Sequence, residues 1–488
     1  MSHQILRDSL EEISAARYFG IIVDETKDEA GKEQLCICIR WVDKNFGVHE
    51  DPVGLYNVSA TTGENIYQVL QDVLIRLGLP MSRCRGQGYD GASNMSGKHS
   101  GVAKRICDNI GLALYVHCFA HSLNLALHDT TKMVDLVGDA LITVQLLYNL
   151  IARNSVQHVE RLKTIVSNLQ SALGGPNNKA VECSGKVIKP LCPTRWTVRE
   201  KAIAAVVSKY EAILHMTDEL KSLRGDAGTE ALGLHCTMLR FETYLGLKIS
   251  LEIFSVTENL SRQLQTKGID AHTVRVVVQT CENYLKNLRS NKHFDRLYSE
   301  ALSSSQDLTE PPRLPRTRKP PQRFRSGQSD HQFDSPGDYY RAQYFHILDI
   351  LLSELEKRFN KTSMDALCAM ETIILSSINS SPLDDDLVTT LQPYIVEGDL
   401  DADKLSLQLK MLPALLNTFN QSRNIPVTRV TMIDTIIDIL ASTDTTIMFS
   451  EIHTLLQCGV DSSSCSFEKA QAGIWLLTWA LFGFTFLK

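Results

Sequence analysis

Residues 18–24, Tyr18-Phe19-Gly20-Ile21-Ile22-Val23-Asp24 (YFGIIVD), decide the fold. The run is too short for a helix, is β-branched in its middle and ends in an acid, and so reads as a buried strand. A second strand is expected over 34–42 (QLCICIRWV) and a third over 46–58, with Asp43-Lys44-Asn45 as the hairpin turn between them. No room is left for a crossover helix between these strands. They therefore form a meander, and a doubly wound nucleotide-binding fold is excluded.

Working outward, 63–77 carries Ile66, Val69, Leu70, Val73, Leu74 and Leu77 at helical spacing and stops before Gly78 and Pro80. A short strand or loop follows at 85–90, a helix at 101–110, a strand at 114–118 (LYVHC) and a helix from His121. Three strands and then strand–helix units predict a mixed α/β sheet with helices on its faces, the order of the ribonuclease H fold. Residues 1–130 form the first part of this core. From 131 to 302 the pattern is helical almost throughout. Residues 303–338 hold prolines at 311, 312, 315, 320, 321 and 336 among Arg313, Arg316, Arg318, Lys319, Arg323 and Arg325, an extended linker or loop. Helical periodicity returns over 339–457, and 458–488 is a divergent apolar tail.

The chain has 488 residues, enough for two or three domains, and 43% are apolar, enough for a sizeable core. A net charge of −6 gives no global pull toward nucleic acid, so DNA contact must use local basic patches. The twelve cysteines show no dense framework and no signal peptide opens the chain, which points to a reducing compartment, the nucleus or alternatively the cytosol. The apolar run at 472–487 is shorter than the roughly 20 residues of a spanning helix, so an aberrant end with no membrane partner is the expectation and a tail anchor the alternative.

Asp24 ends the first strand and Asp90 the fourth, and these strands are neighbours in the inferred sheet. Two carboxylates at adjacent strand ends suit Mg²⁺ and two-metal phosphodiester chemistry. Spacing alone favours the plainer assignment of two surface acids, with Asp90 shaping a Gly-rich turn. Cys118 and His121 form a C-x-x-H pair, but no second ligand pair lies at finger spacing, and a structural Cys and His are the alternative. Trp196 beside Arg195 can stack a flipped base and pair with phosphate, or simply pack. The basic linker has three readings: phosphate contact, a nuclear import signal around Arg316-Thr317-Arg318-Lys319, or a solvated connection.

Four motifs occur in order: Val23-Asp24-Glu25-Thr26; residues 87–97 (QGYDGASNMSG); residues 117–125 (HCFAHSLNL); and Thr194-Arg195-Trp196. Together they resemble the hAT superfamily of transposases, in particular the branch of zinc finger MYM-type protein 1-like sequences, over residues 1–457. The resemblance implies that Asp24 and Asp90 are the first two members of an Asp-Asp-Glu triad. It implies that the helical region is the hAT insertion domain, that Cys118 and His121 touch DNA near the active site, and that Trp196 stabilises a distorted DNA end. It also implies dimerisation through the C-terminal region.

The chain departs from that pattern at both ends. Relatives begin with a zinc-binding DNA-reading module, and here the chain opens at the helix before the first strand. Aligning Ser466-Phe467 with the family's Ser-Phe puts Ser464 and Cys465 where Glu-Arg is expected. Glu468, one helical turn on, is the nearest substitute. A deletion, splice change or frame shift accounts for both the missing pair and the apolar tail. The expectation is an α/β protein whose ribonuclease-H-like mixed sheet is interrupted by a large all-α insertion domain. It binds nucleic acid, dimerises, or does both in the nucleus without cutting, with no functional Mg²⁺ and no small-molecule substrate. The alternatives are a working Mg²⁺-dependent transposase or nuclease, and an interaction scaffold that binds no DNA.

Overall fold

The computed structural model describes residues 2–27, 32–44, 46–89, 91–117, 119–153, 156–172, 188, 199–266, 270–314, 333–359, 362–382, 389, 391–396, 398–421, 425–445 and 447–462. The chain opens with helix α1 (Ser2–Ala15), followed by strands β1 (Phe19–Lys27), β2 (Glu33–Val42) and β3 (Val48–Asn57). Next come α2 (Gly63–Arg76), β4 (Cys84–Tyr89), the short α3 (Ser93–Ser96), α4 (Val102–Asn109), β5 (Leu114–His117) and α5 (Phe119–Met133). Helices follow to the end of the described chain. They are α6 (Asp135–Tyr148), α7 (Val156–Ala172), α8 (Arg199–Ser208), α9 (Tyr210–Leu220), α10 (Asp226–Met238), α11 (Phe241–Leu264), α12 (Ala271–Leu288) and α13 (Asn291–Ser305). Then come α14 (Pro336–Phe359), α15 (Thr362–Ile378), α16 (Gln392–Val396), α17 (Ala402–Gln421), α18 (Ile433–Ser442) and α19 (Ser450–Ser462).

Two compact units result. Unit 1 comprises Met1–Ser122, Leu264–Val276 and Phe359–Lys488; unit 2 comprises Leu123–Gln263 and Val277–Arg358.

Unit 1 is built on one five-stranded mixed sheet in the order β3-β2-β1-β4-β5. β1 pairs antiparallel with β2, and β2 with β3, as the meander requires. β4 runs parallel to β1, and β5 parallel to β4. Alternation splits β1 and β2 cleanly. Phe19, Ile21, Val23, Leu35, Ile37, Ile39 and Trp41 face one core, shared with Ile66, Leu70 and Leu74 of α2 and Ile106 of α4. Tyr18 and Val42 face the other, which is filled by α15 and α17–α19. β3 lies at the sheet edge and carries Pro52, a residue with no N–H to give to a further strand.

The sequence expectation and the structure differ at β1. Asp24 is not its last residue, because Glu25, Thr26 and Lys27 continue the ladder with Leu35, Gln34 and Glu33. Those three residues are polar, so periodicity gives no sign of the extension. On the other side, pairing with β4 stops at Ile22 opposite Gly88.

α2 begins where the sequence expects, with the Thr62 hydroxyl accepting from the Asn65 N–H at 3.3 Å. It ends just before Gly78, whose φ of 69° is the left-handed conformation that stops a helix. Gly63, its first residue, is a close-approach position. A Cβ there would lie 2.5 Å from the Ser100 carbonyl oxygen and 2.6 Å from that of Asn94.

Unit 2 is helical in all its described elements. Its centre is aromatic: Phe241 meets Tyr298 edge-on at 5.6 Å, and Phe294 stacks on Tyr298 at 5.5 Å. The Glu252 carboxylate accepts from the Tyr344 hydroxyl at 3.0 Å and meets His293 Nε2 at 2.7 Å, which satisfies polar groups carried into this core.

Candidate functional site

Asp24 shares a face of β1 with Ile22, and across the antiparallel ladder it stands opposite Cys36. Its side chain is half-buried. The floor beside it is small and dry, with Ile22, Cys36 and Cys38 packed together against Ala120 in the first turn of α5. The Cys38 thiol hydrogen-bonds the Cys36 sulfur and lowers the Cys36 pKa, against the opposing effects of burial and of the Asp24 carboxylate. That same hydrogen bond, together with burial, raises the pKa of Cys38 strongly.

Glu25 points to the opposite face. There Asn94 donates one amide hydrogen to Glu25 Oε1 at 2.7 Å and the other to the Thr61 carbonyl at 2.8 Å. The segment after β4 is thus tied to β1 directly behind Asp24. The tie is absent from the sequence reading, although Asn94 lies inside the quoted 87–97 motif.

Asp90 follows Tyr89, the last residue of β4, and lies outside the described residues. So do Cys118, Arg195, Trp196 and Glu468. His121 is described and half-buried in the first turn of α5, its ring edge-on to His117 at 5.3 Å. His117 Nδ1 in turn meets the Ser122 hydroxyl at 2.7 Å. The structure therefore brings β1 and β4 together at the Asp24 end and places His121 at the end of β5.

Two described carboxylates lie on this face, Asp24 and Glu50, and Glu50 is paired with Arg40 at 2.9 Å. Thiols are poor partners for Mg²⁺, and Glu25 Oε1 already accepts from Asn94. Asp24 fits one ligand position of an Mg²⁺ site, and Cys36 and Cys38 do not extend it.

α19 lies against β1, β2, β4 and β5, on the face where β4 presents Gly86 and Gly88. Arg17 anchors it, Nη1 donating to the Thr454 hydroxyl at 2.5 Å. Glu451, in its first turn, accepts from the Asp401 N–H through Oε2 at 3.0 Å, a structural task.

Residues 1–101 match the family described as DUF4371: ZMYM1/FAM200, RNase-like domain. The chain is also similar to the 52 kDa repressor of the inhibitor of the protein kinase of Homo sapiens, 24% identical over 379 residues, or 76% of this chain and 48% of that protein. The Mus musculus protein of the same name is 23% identical over 382 residues, again 76% and 48%. The chain spans about half the length of the curated relatives it matches. These likenesses support a hAT-derived family without singling out a branch within it. The RNase-like match fits the mixed sheet in outline, covering β1 through β4.

Proposed function

We propose that this chain is a transposon-derived, hAT-like nucleic-acid-binding protein that also self-associates and does not cut DNA. One observation carries the reading: β1 and β4 are parallel neighbours, paired at Ile22 and Gly88, so the strand bearing Asp24 adjoins the strand that leads into Asp90. In this reading Asp24 and Asp90 would hold one divalent cation, which supplies charge neutralisation at a phosphodiester. Ser464 stands where a third carboxylate is needed, and a neutral hydroxyl cannot replace it; Glu468 is the fallback. Cys118, His121, Arg195 and Trp196 are the DNA-contact residues, unit 2 corresponds to the hAT insertion, and the protein works in the nucleus. Both matched relatives are named as repressors, and repression needs no phosphodiester chemistry.

Two measurements test this. The first is binding to duplex and hairpin DNA over a salt series, where a negative slope of log K against log salt is expected. A chain with no measurable DNA affinity at about 50 mM salt contradicts the reading and leaves a protein scaffold. The second is incubation with Mn²⁺ and hairpin or nicked DNA beside Asp24→Ala and Glu468→Ala, where no product is expected. Cleavage abolished by both substitutions would establish an active enzyme with Glu468 as third ligand.

A further inference from the structure

The stretch Leu264–Val276 belongs to unit 1, although the chain on both sides of it belongs to unit 2. Its helical part is the first turn of α12, whose leading N–H groups have no intrahelical partner. Three of them are satisfied by two carboxylates. Asp270, immediately before the helix, accepts from the Thr273 N–H at 2.6 Å. Glu371 of α15 accepts from Ala271 through Oε1 at 2.9 Å and from His272 through Oε2 at 2.8 Å. A single side chain on α15 thus holds two consecutive backbone amides of the excursion. Arg275 also pairs with Asp365 at 2.5 Å, a solvent-exposed and weak tie.

Glu371 sits in an unusual electrostatic setting. It lines a cavity of about 80 Å³ together with Asp270, Asp434 and Arg40, among apolar side chains including Met370 and Ile374. Arg40 is already paired with Glu50 at 2.9 Å. Asp438 stands near Asp434 on α18; burial, then Asp270 and Asp438, raise the Asp434 pKa. On the excursion itself, Asp270 opposes the Glu371 charge, while Arg275 and the two N–H donors favour it. His272 contributes its backbone amide to the contact. Burial is the dominant influence and pushes the Glu371 carboxyl up to about 7.

We propose that Glu371 is a proton-controlled clasp on the first turn of α12. Glu371 is half-buried in the closed turn, and releasing the turn opens it fully to water, where an ordinary glutamate titrates near 4.3. The closed form therefore holds a proton that the open form gives up. Closure is fully favoured below the open-form value, weakens as pH rises toward the closed-form value, and is flat above it. One proton is involved, so the opening constant should rise about tenfold per pH unit within that window. The clasp is firm in mildly acidic conditions and loosest from neutral pH upward.

Hydrogen exchange of the full chain tests this in the peptide spanning Ala271 and His272. Rates are corrected for intrinsic pH dependence and compared with a peptide from β2. The parent should lose protection by about fifteenfold between pH 5.5 and 7 and by only about twofold more from 7 to 8.5. Glu371→Gln removes the titration, keeps the side chain's size and one of its two acceptor oxygens, and should flatten the profile at a lower level of protection, whereas Asp434→Asn should retain the titration. A flat profile in the parent overturns the proposal, and this arm needs no variant to fold. A pH dependence that survives Glu371→Gln or disappears with Asp434→Asn overturns it equally.

Discussion

Arg85 and Asp399 lie 314 positions apart and form a buried bidentate pair, Nε to Oδ2 at 2.6 Å and Nη2 to Oδ1 at 2.7 Å. The guanidinium also lies 4.5 Å from the centre of the Tyr18 ring, so a cation–π contact completes its surroundings. The pair fastens the start of β4 to the segment before α17. Removing one member leaves a buried charge with no counterpart. Asp399→Asn or Arg85→Met should each destabilise unit 1 by about 3–5 kcal/mol, while Arg85→Met with Asp399→Leu should recover most of the loss. Urea midpoints for the four proteins check this. A double variant no better than the worse single one contradicts it.

Gly63 tests the seat of the loop behind Asp24. Gly63→Ala pushes a Cβ against two carbonyl oxygens that belong to backbone and cannot rotate away. The expected penalty is about 1–3 kcal/mol, despite the better helix propensity of alanine. A stability equal to or above the parent, by thermal midpoint, refutes the close approach.

His453 supplies an acid-sensitive element. Its ring packs against Phe46 at 4.5 Å, and burial lowers its pKa below the ordinary histidine value of 6.5, with Arg17 adding in the same direction. The unfolded chain takes the proton first, so the His453 contribution is intact above pH 6.5 and is lost as pH falls below it. Glu371 acts with the opposite sign over part of this range, so parent and variant must be compared. His453→Leu should show a shallower loss of thermal midpoint between pH 6.5 and 5. Parallel curves would disprove the assignment.

The thiols beneath Asp24 predict a labelling order. Cys236 is exposed, whereas Cys36 and Cys38 are buried under Ala120 and Cys38 is held protonated. A thiolate-directed reagent at pH 8 should modify Cys236 promptly and reach Cys36 and Cys38 only when unit 1 opens. Peptide mass spectrometry reads this directly. Prompt modification of Cys36 would mean the Ala120 cover is absent.

Much of the sheet is legible in the sequence, because its signals are local. YFGIIVD, QLCICIRWV and the 63–77 helix each announce themselves by periodicity, and the missing crossover helices fix the meander. The neighbour relation of β1 and β4 follows from that topology. The last three residues of β1 are not legible, since Glu25, Thr26 and Lys27 carry no apolar signal and continue the strand through ladder bonds to β2. Nor are Arg85–Asp399, Asn94–Glu25 and Glu371 with the α12 amides, because contacts between distant segments leave no periodic trace. Around the candidate site, Asp24 could be named from its strand, but the thiol floor and the Asn94 tie need the register of β1 against β2 and the seat of the loop on Gly63.

The segments that make unit 1 have a consequence for biosynthesis. The sheet is complete once β5 has emerged, yet one of its faces is covered by α15 and α17–α19, which are translated last. Ribosomes add about 5–20 residues per second, so the nascent sheet waits on the order of tens of seconds with Tyr18, Val42 and Leu112 uncovered. Unit 2 is encoded between and can reach its fold during that interval. The vulnerable species is therefore a complete sheet with one bare face on the ribosome, and chain release before residue 450 should leave it as a client for chaperones or proteases.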